Sequence, residues 1–511
     1  MKQLWPLFIF LFISCQKASP PDTIRIALSG NPPTLDWNLA TDNISYQVIT
    51  QLMEGLTQYD ENGKTIPAIA SSWEVLDEGQ RFIFHINDNY KWSDGVSVNA
   101  QQFVDSWVRL LKPETASEYA YYLYDIINAK AFNEGQLITP DQLGIKALDE
   151  RTLEVKLNKP LSFFPTLLSF MVTYPIRQDL IDQYGDQWTD PKNMQTCGPY
   201  ILSEFWPEYR LTLKSNSSYG GAPAPQIKKI SFYVVPDPTT ALTLAESNLL
   251  DVALIPPLAQ KTFKDNPNLT QIKKLRGYYY GFNLKQKPFD QLAFRQALAL
   301  SLDKTELPLI LKGGELPVDS WIPPPLLGFN NESGLHFDRI KAQELLKQTK
   351  WDTQQTLTLY FNGDATNKKV AEWAQEQWKK HLGLTIELKS MEWKAYLSLM
   401  HNEPPGFFRM GWGADYPDPD NFMNLFTSQS GNNYTNYHDS SYDALVSIAA
   451  SELDPDKRKN LYDAAQKKLL IDHCVIIPLF VANQYLWVRE AFRPYPATNM
   501  DFAYLKRLKL K

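Results

Sequence analysis

The stretch GWGADYPDPDNF, Gly411 to Phe422, sets three carboxylates, Asp415, Asp418 and Asp420, among two prolines and a tryptophan. Acids so close together could bind a metal, exchange protons or receive a cation. A calcium loop needs oxygens at alternating positions, a glycine at the sixth and a bidentate Glu at the twelfth. Here the acids are three and two residues apart and Asn421 follows where no glycine stands, so the calcium pattern is not met. A glycosidase pair stays open at this stage, because two acids meet only in the fold. On the residues alone Asp415 reads as a turn or cap aspartate.

Other chemistries lack their residues. No GxSxG elbow or papain-like cysteine signature supplies a nucleophile, and neither HExxH nor paired CxxC accompanies the six histidines. Phosphate cradles of the GxxxxGK[ST] and GxGxxG kinds are missing as well. The chain therefore reads as a non-enzyme without cofactor or metal. A formal charge of -6 is too mild to imply a nucleic-acid partner. Aromatic content of 13% is enough to furnish a wide binding cleft besides a core.

Elements must position these residues, and 511 residues suggest about three structural units. Alternation predicts strands at TIRIAL (Thr23 to Leu28), RFIFHI (Arg81 to Ile86) and TLEVKL (Thr152 to Leu157). NAQQFVDSWVRLLK predicts a helix capped by Asn99 with Gln102 three residues on, and with Phe103, Trp107, Leu110 and Leu111 on its buried stripe. Later segments keep mixing strand-like and helix-like runs, which makes an α/β chain. Proline clusters at Pro223/Pro225, Pro256/Pro257 and Pro323 to Pro325 mark loops.

The N-terminus, MKQLWPLFIFLFISC, has a basic start and a short apolar run, too short to span a bilayer as a helix. Residues 1-15 read as a lipoprotein signal peptide with Cys15 as the lipidated residue, although Phe12 stands where Leu is usual; an ordinary signal peptide is the alternative. Residues 16-22, QKASPPD, read as a tether. Cys197 and Cys474 lack metal spacing and read as free, buried thiols.

Several phrases in order carry a resemblance: PTLDWN, QLMEGLTQYDENGKTIPAIASSWEV, RFIFHINDNYKWSDGVSVNAQQFVDSWVRLLKP, CGPYIL, YYYGFNLKQKPFDQLAFRQALALSLDK, SMEWKAYL and GWGADYPDPDNFMNLF. From about Thr23 to Lys511 the chain resembles the oligopeptide-binding proteins of ABC importers, extracytoplasmic solute-binding protein family 5. That resemblance implies an α/β, two-lobed periplasmic-binding-protein clamp (type II, cluster C) with an additional domain and a hinge between lobes. Residues 23-53, 179-275 and 484-511 would form domain I, 54-178 domain II and 276-483 domain III, with crossings near Arg276 and Asn483.

The resemblance also implies the site. A peptide would pair its main chain with the backbone around Gly411 to Gly413, including Trp412, and its α-ammonium would meet Asp415. Trp393 and Trp412 would line side-chain pockets, Arg409 would lie near the peptide carboxylate, Tyr119 would be a cleft tyrosine, and Thr41 and Asn43 would approach from the opposite lobe. Gly281 and Asn367 stand where relatives carry a glutamate and a histidine, and Arg276 and Gly413 where relatives carry a cysteine pair. The implied function is a monomeric, lipid-anchored receptor, in the periplasm or at the cell surface, that delivers short peptides to membrane permease subunits. A receptor for murein peptide, nickel complex, haem or sugar is the alternative, and a periplasmic peptide chaperone or hydrolase is one of another class.

Overall fold

The computed structural model describes residues 21–137, 139–257, 259–349, 351–352 and 355–510. The signal peptide, Cys15 and most of the tether lie outside the described residues.

Two long strands, Leu269–Phe282 and Ile476–Val488, run antiparallel through the middle of the largest sheet. On one side of them lie Phe407–Gly413, Thr356–Asn362 and Thr385–Met391; on the other lie Val252–Leu254, Thr23–Leu28, Lys229–Val234, Arg210–Ser215 and Tyr200–Trp206. Apolar residues line both faces of the first long strand. Tyr278, Tyr280 and Phe282 enter one hydrophobic cluster, whereas Tyr279 enters another with Trp321, Phe408 and Phe426. That split follows from the two-residue side-chain period of a strand.

Pairing between the long strands is broken at one place. Leu269 to Lys273 pair with Trp487 to Asn483, and pairing resumes only at Gly277 with Val481. Between these points Leu275 donates its amide to Asn499 O at 3.1 Å, and its carbonyl accepts the Ala414 amide at 2.8 Å. The sheet thus changes partners between Lys273 and Gly277.

A second sheet of four antiparallel strands, Ala70–Leu76, Arg81–Ile86, Thr152–Lys156 and Ile145–Asp149, packs against the helix Ala100–Leu111. Its predicted capping box is present: Asn99 Oδ1 accepts the Gln102 amide at 3.2 Å while Gln102 Oε1 accepts the Asn99 amide at 3.1 Å. Phe103, Trp107, Leu110 and Leu111 are buried. Cys197 and Cys474 are both buried and unpaired, and lie in different clusters.

Candidate functional site

The strand Phe407–Gly413 pairs along its whole length with the first long strand, from Phe407 opposite Phe282 to Gly413 opposite Arg276. On its other side only Phe408 has a strand partner, Tyr360. The outward main-chain groups of Gly411 and Gly413 therefore form an open edge among the described residues, beyond Arg409, whose carbonyl accepts the Tyr396 hydroxyl at 2.6 Å. An open edge is a template for an added strand.

Prolines end this strand by withholding donors. After Gly413 the chain turns through Pro417 and Pro419 into the helical turn Asp420–Met423. The turn separates the three acids into different environments. Asp418 forms a buried bidentate pair with Arg458, at 2.7 and 2.8 Å. Asp420 accepts the Tyr416 hydroxyl at 3.0 Å, and burial pushes its carboxyl up to about 7. Asp415 stays at the end of the strand, where burial pushes its carboxyl up to about 6, opposed by a hydrogen bond from the Asn421 side chain. No cation pairs with it among the described residues.

Asp415 opens onto a cavity of about 280 Å³ whose lining includes Thr41, Asn43, Tyr119, Arg276, Trp412 and Gly413. Asp42, between Thr41 and Asn43, caps the helix Asn43–Leu52 by accepting the Ile44 and Ser45 amides, both at 2.9 Å, so both neighbours are held at the cavity wall. Burial and the Asp415 charge push the Tyr119 phenol up to about 12. It therefore faces Asp415 as a neutral hydroxyl.

A second cavity of about 480 Å³ adjoins the first through Arg276, Trp412 and Gly413, and its lining includes Trp393, Arg409, Gly411 and Asn367. Trp393 begins the helix Trp393–Asn402 and is 47% exposed. The Arg409 guanidinium stacks 4.1 Å from the Tyr278 ring centre and donates to Asn362 Oδ1 at 2.9 Å, with no ion pair to a carboxylate among the described residues. Asn367 is 2% exposed, and its amide nitrogen donates to Asn362 O and Oδ1, both at 3.0 Å, and to Asp364. Its side chain serves this turn.

Gly281 is the expected site residue that the structure keeps out of both cavities. It pairs with Phe408, so it shares the face of Phe408 and not that of Arg409, and a Cβ there would stand 2.5 Å from the Phe408 ring. It therefore lines neither cavity, whereas Arg409 lines the second.

Sequence reasoning missed Asn421, whose Oδ1 accepts both the Trp412 indole at 2.8 Å and the Asp415 amide at 3.2 Å. It also missed the ion cluster of Lys274, Arg276 and Asp501 at the break between the long strands. The adjacency of Asn421 to PDPD was the only local signal for the former; the latter joins residues more than two hundred apart.

Residues 64–434 match the family of bacterial extracellular solute-binding proteins, family 5. The chain is 31% identical to a probable deoxycholate-binding periplasmic protein, YgiS, of Escherichia coli, over 96% of this chain and 94% of that one. It is 32% identical to the periplasmic oligopeptide-binding protein OppA of Salmonella typhimurium, over 90% and 87%. The periplasmic murein peptide-binding protein MppA of Escherichia coli is 30% identical over 94% and 92%. Superposition on MppA in an unliganded open form gives a TM-score of 0.86 at 29% identity, covering 96% of this chain and 97% of that one. Matching over most of its length and carrying the same fold, this chain belongs to the bacterial extracellular solute-binding proteins, family 5.

Proposed function

We propose that this protein is an extracytoplasmic receptor that captures short peptides in the two adjoining cavities and hands them to the permease of an ABC importer. The observation that carries this reading is the open backbone edge at Gly411 and Gly413, with an unpaired carboxylate beyond one end and the Arg409 guanidinium at the other. Backbone pairing holds an extended chain without reading its side chains, while the end charges fix its direction. An ammonium about 4 Å from Asp415 gains roughly 4 kcal/mol at an effective dielectric near 20, before desolvation is subtracted. Four strand steps of about 3.3 Å separate Arg409 from Gly413, with Asp415 beyond them, which suits a ligand of a few residues.

In this reading the domain division stated for the sequence holds, the lobes hinge where the long strands break register, and ligand favours closure through contacts to both sides. Cys15 carries the lipid that anchors a monomer to a bacterial membrane. The protein acts by binding alone.

A second reading, a murein-peptide receptor, is favoured by the likeness to the open murein tripeptide-binding structure. Native mass spectrometry of the protein as purified, followed by denaturation and sequencing of what is released, separates the two. Mixed short peptides support the general receptor. One murein fragment supports the second reading, and a single non-peptide species overturns both.

A further inference from the structure

Arg276 is a cation in mid-groove whose charge the fold leaves largely unmet. It lies opposite Gly413 across the strand pair, and a Cβ built on Gly413 would stand 3.2 Å from its Nε, so the guanidinium covers the strand where glycine leaves room. It lines both cavities and is 55% exposed. Its one ion pair among the described residues is a long contact, 3.6 Å to Asp501 Oδ2. Asp501 is already engaged by Lys274, a lysine 6% exposed that needs the charge more.

The other carboxylates around the two cavities are committed. Asp42 caps a helix with one oxygen and accepts the Ser45 hydroxyl with the other. Asp364 accepts the Asn367 amide at 2.7 Å. Asp415 is the anion left for the ligand ammonium. A ligand that brings its own carboxylate to Arg276 therefore completes a pair that the protein lacks.

We propose that Arg276 is a specificity-determining residue that selects peptides carrying an acidic side chain at their second position. The inference rests on the peptide reading. With its first residue beside Ala414 and its ammonium reaching on to the Asp415 carboxylate, an extended ligand running antiparallel to Phe407–Gly413 sets its second residue beside Gly413, one strand step further along. There its side-chain carboxylate meets the guanidinium in a partly enclosed groove, where a charge-assisted hydrogen bond is worth more than at an open surface.

The test is titration calorimetry of the full-length protein and of Arg276→Gln with Ala-Glu-Ala, Ala-Ala-Ala, Ala-Lys-Ala and Ala-Ala-Glu. The wild type should bind Ala-Glu-Ala about five- to tenfold more tightly than Ala-Ala-Ala and Ala-Lys-Ala more weakly than either, with no gain for Ala-Ala-Glu. In Arg276→Gln the ratio of Ala-Glu-Ala to Ala-Ala-Ala should fall to about one. Equal binding of these two by the wild type, a gain only for Ala-Ala-Glu, or an unchanged ratio in the variant overturns this inference and leaves the peptide reading standing. Failure of every peptide to bind the wild type overturns both.

Discussion

The amide of Asp415 donates to Asn421 Oδ1 at 3.2 Å, and the same oxygen accepts the Trp412 indole at 2.8 Å. Asn421 thereby ties the proposed ammonium anchor to the ring beside it. The Asn421 side chain also lowers the Asp415 carboxyl against the rise that burial causes. Asn421→Ala should push the Asp415 carboxyl further up and weaken peptides by about 1 to 2 kcal/mol at pH 7. Calorimetry at pH 7 and 8.5 checks this: a loss that is no smaller at the higher pH would mean that Asn421 acts only by shaping the loop.

Asp415→Asn should weaken peptides with a free N-terminus by about 1.5 to 3 kcal/mol, the value of a charge-assisted hydrogen bond. N-acetylated peptides, having no ammonium, should bind both proteins alike. Equal wild-type affinity for free and acetylated forms would remove Asp415 from this role.

The same carboxylate sets a pH window. Its folded pKa of about 6 lies above the ordinary carboxylate value, so the anion is present above about pH 6 and lost below it. A peptide α-ammonium deprotonates near pH 8. Affinity should therefore peak between about pH 6 and 8 and fall on both sides. A profile flat down to pH 5 would show that the anchor needs no charge.

Stability without ligand should move the opposite way. A raised folded pKa means that the folded state holds the proton more tightly than the unfolded one, so this contribution is complete below about pH 4 and lost as pH rises through 6. Asp420, raised to about 7, acts with the same sign, so the Asp415 share is read as a difference between proteins. Asp415→Asn should unfold at a temperature a few degrees higher than wild type at pH 7.5, with the gap closing toward pH 4. A destabilised variant at pH 7.5 would contradict the burial cost.

Local pattern made much of this legible. The Asn99 capping box, the alternation of Arg81–Ile86 and the exit of the chain from Phe407–Gly413 at its prolines depend on neighbours in sequence, and each stands where the residues put it. Arg276 opposite Gly413 is the placement that the missing cysteine pair implies. The division of labour among Asp415, Asp418 and Asp420 was not legible, because Arg458 lies forty residues from Asp418 and meets it only by packing. That Gly281 lies against the Phe408 ring and outside both cavities was not legible either, because it depends on the pairing of two strands more than a hundred residues apart.

Arg409 and Gly281 can be told apart by experiment. Arg409 has no carboxylate partner among the described residues and faces the larger cavity, so Arg409→Gln should abolish the preference for a free peptide C-terminus over its amide, by about 1 to 2 kcal/mol. Gly281→Glu adds an acid whose Cβ would collide with the Phe408 ring, in the face of the sheet turned away from Arg409. Relief requires moving a fully buried ring, and overpacking of that kind costs about 1 to 3 kcal/mol. Gly281→Glu should therefore lower the unfolding midpoint while the acid-to-amide affinity ratio of the folded protein stays as in the wild type. A changed ratio with unchanged stability would return Gly281 to the cleft and reverse the assignment of faces drawn from the strand register.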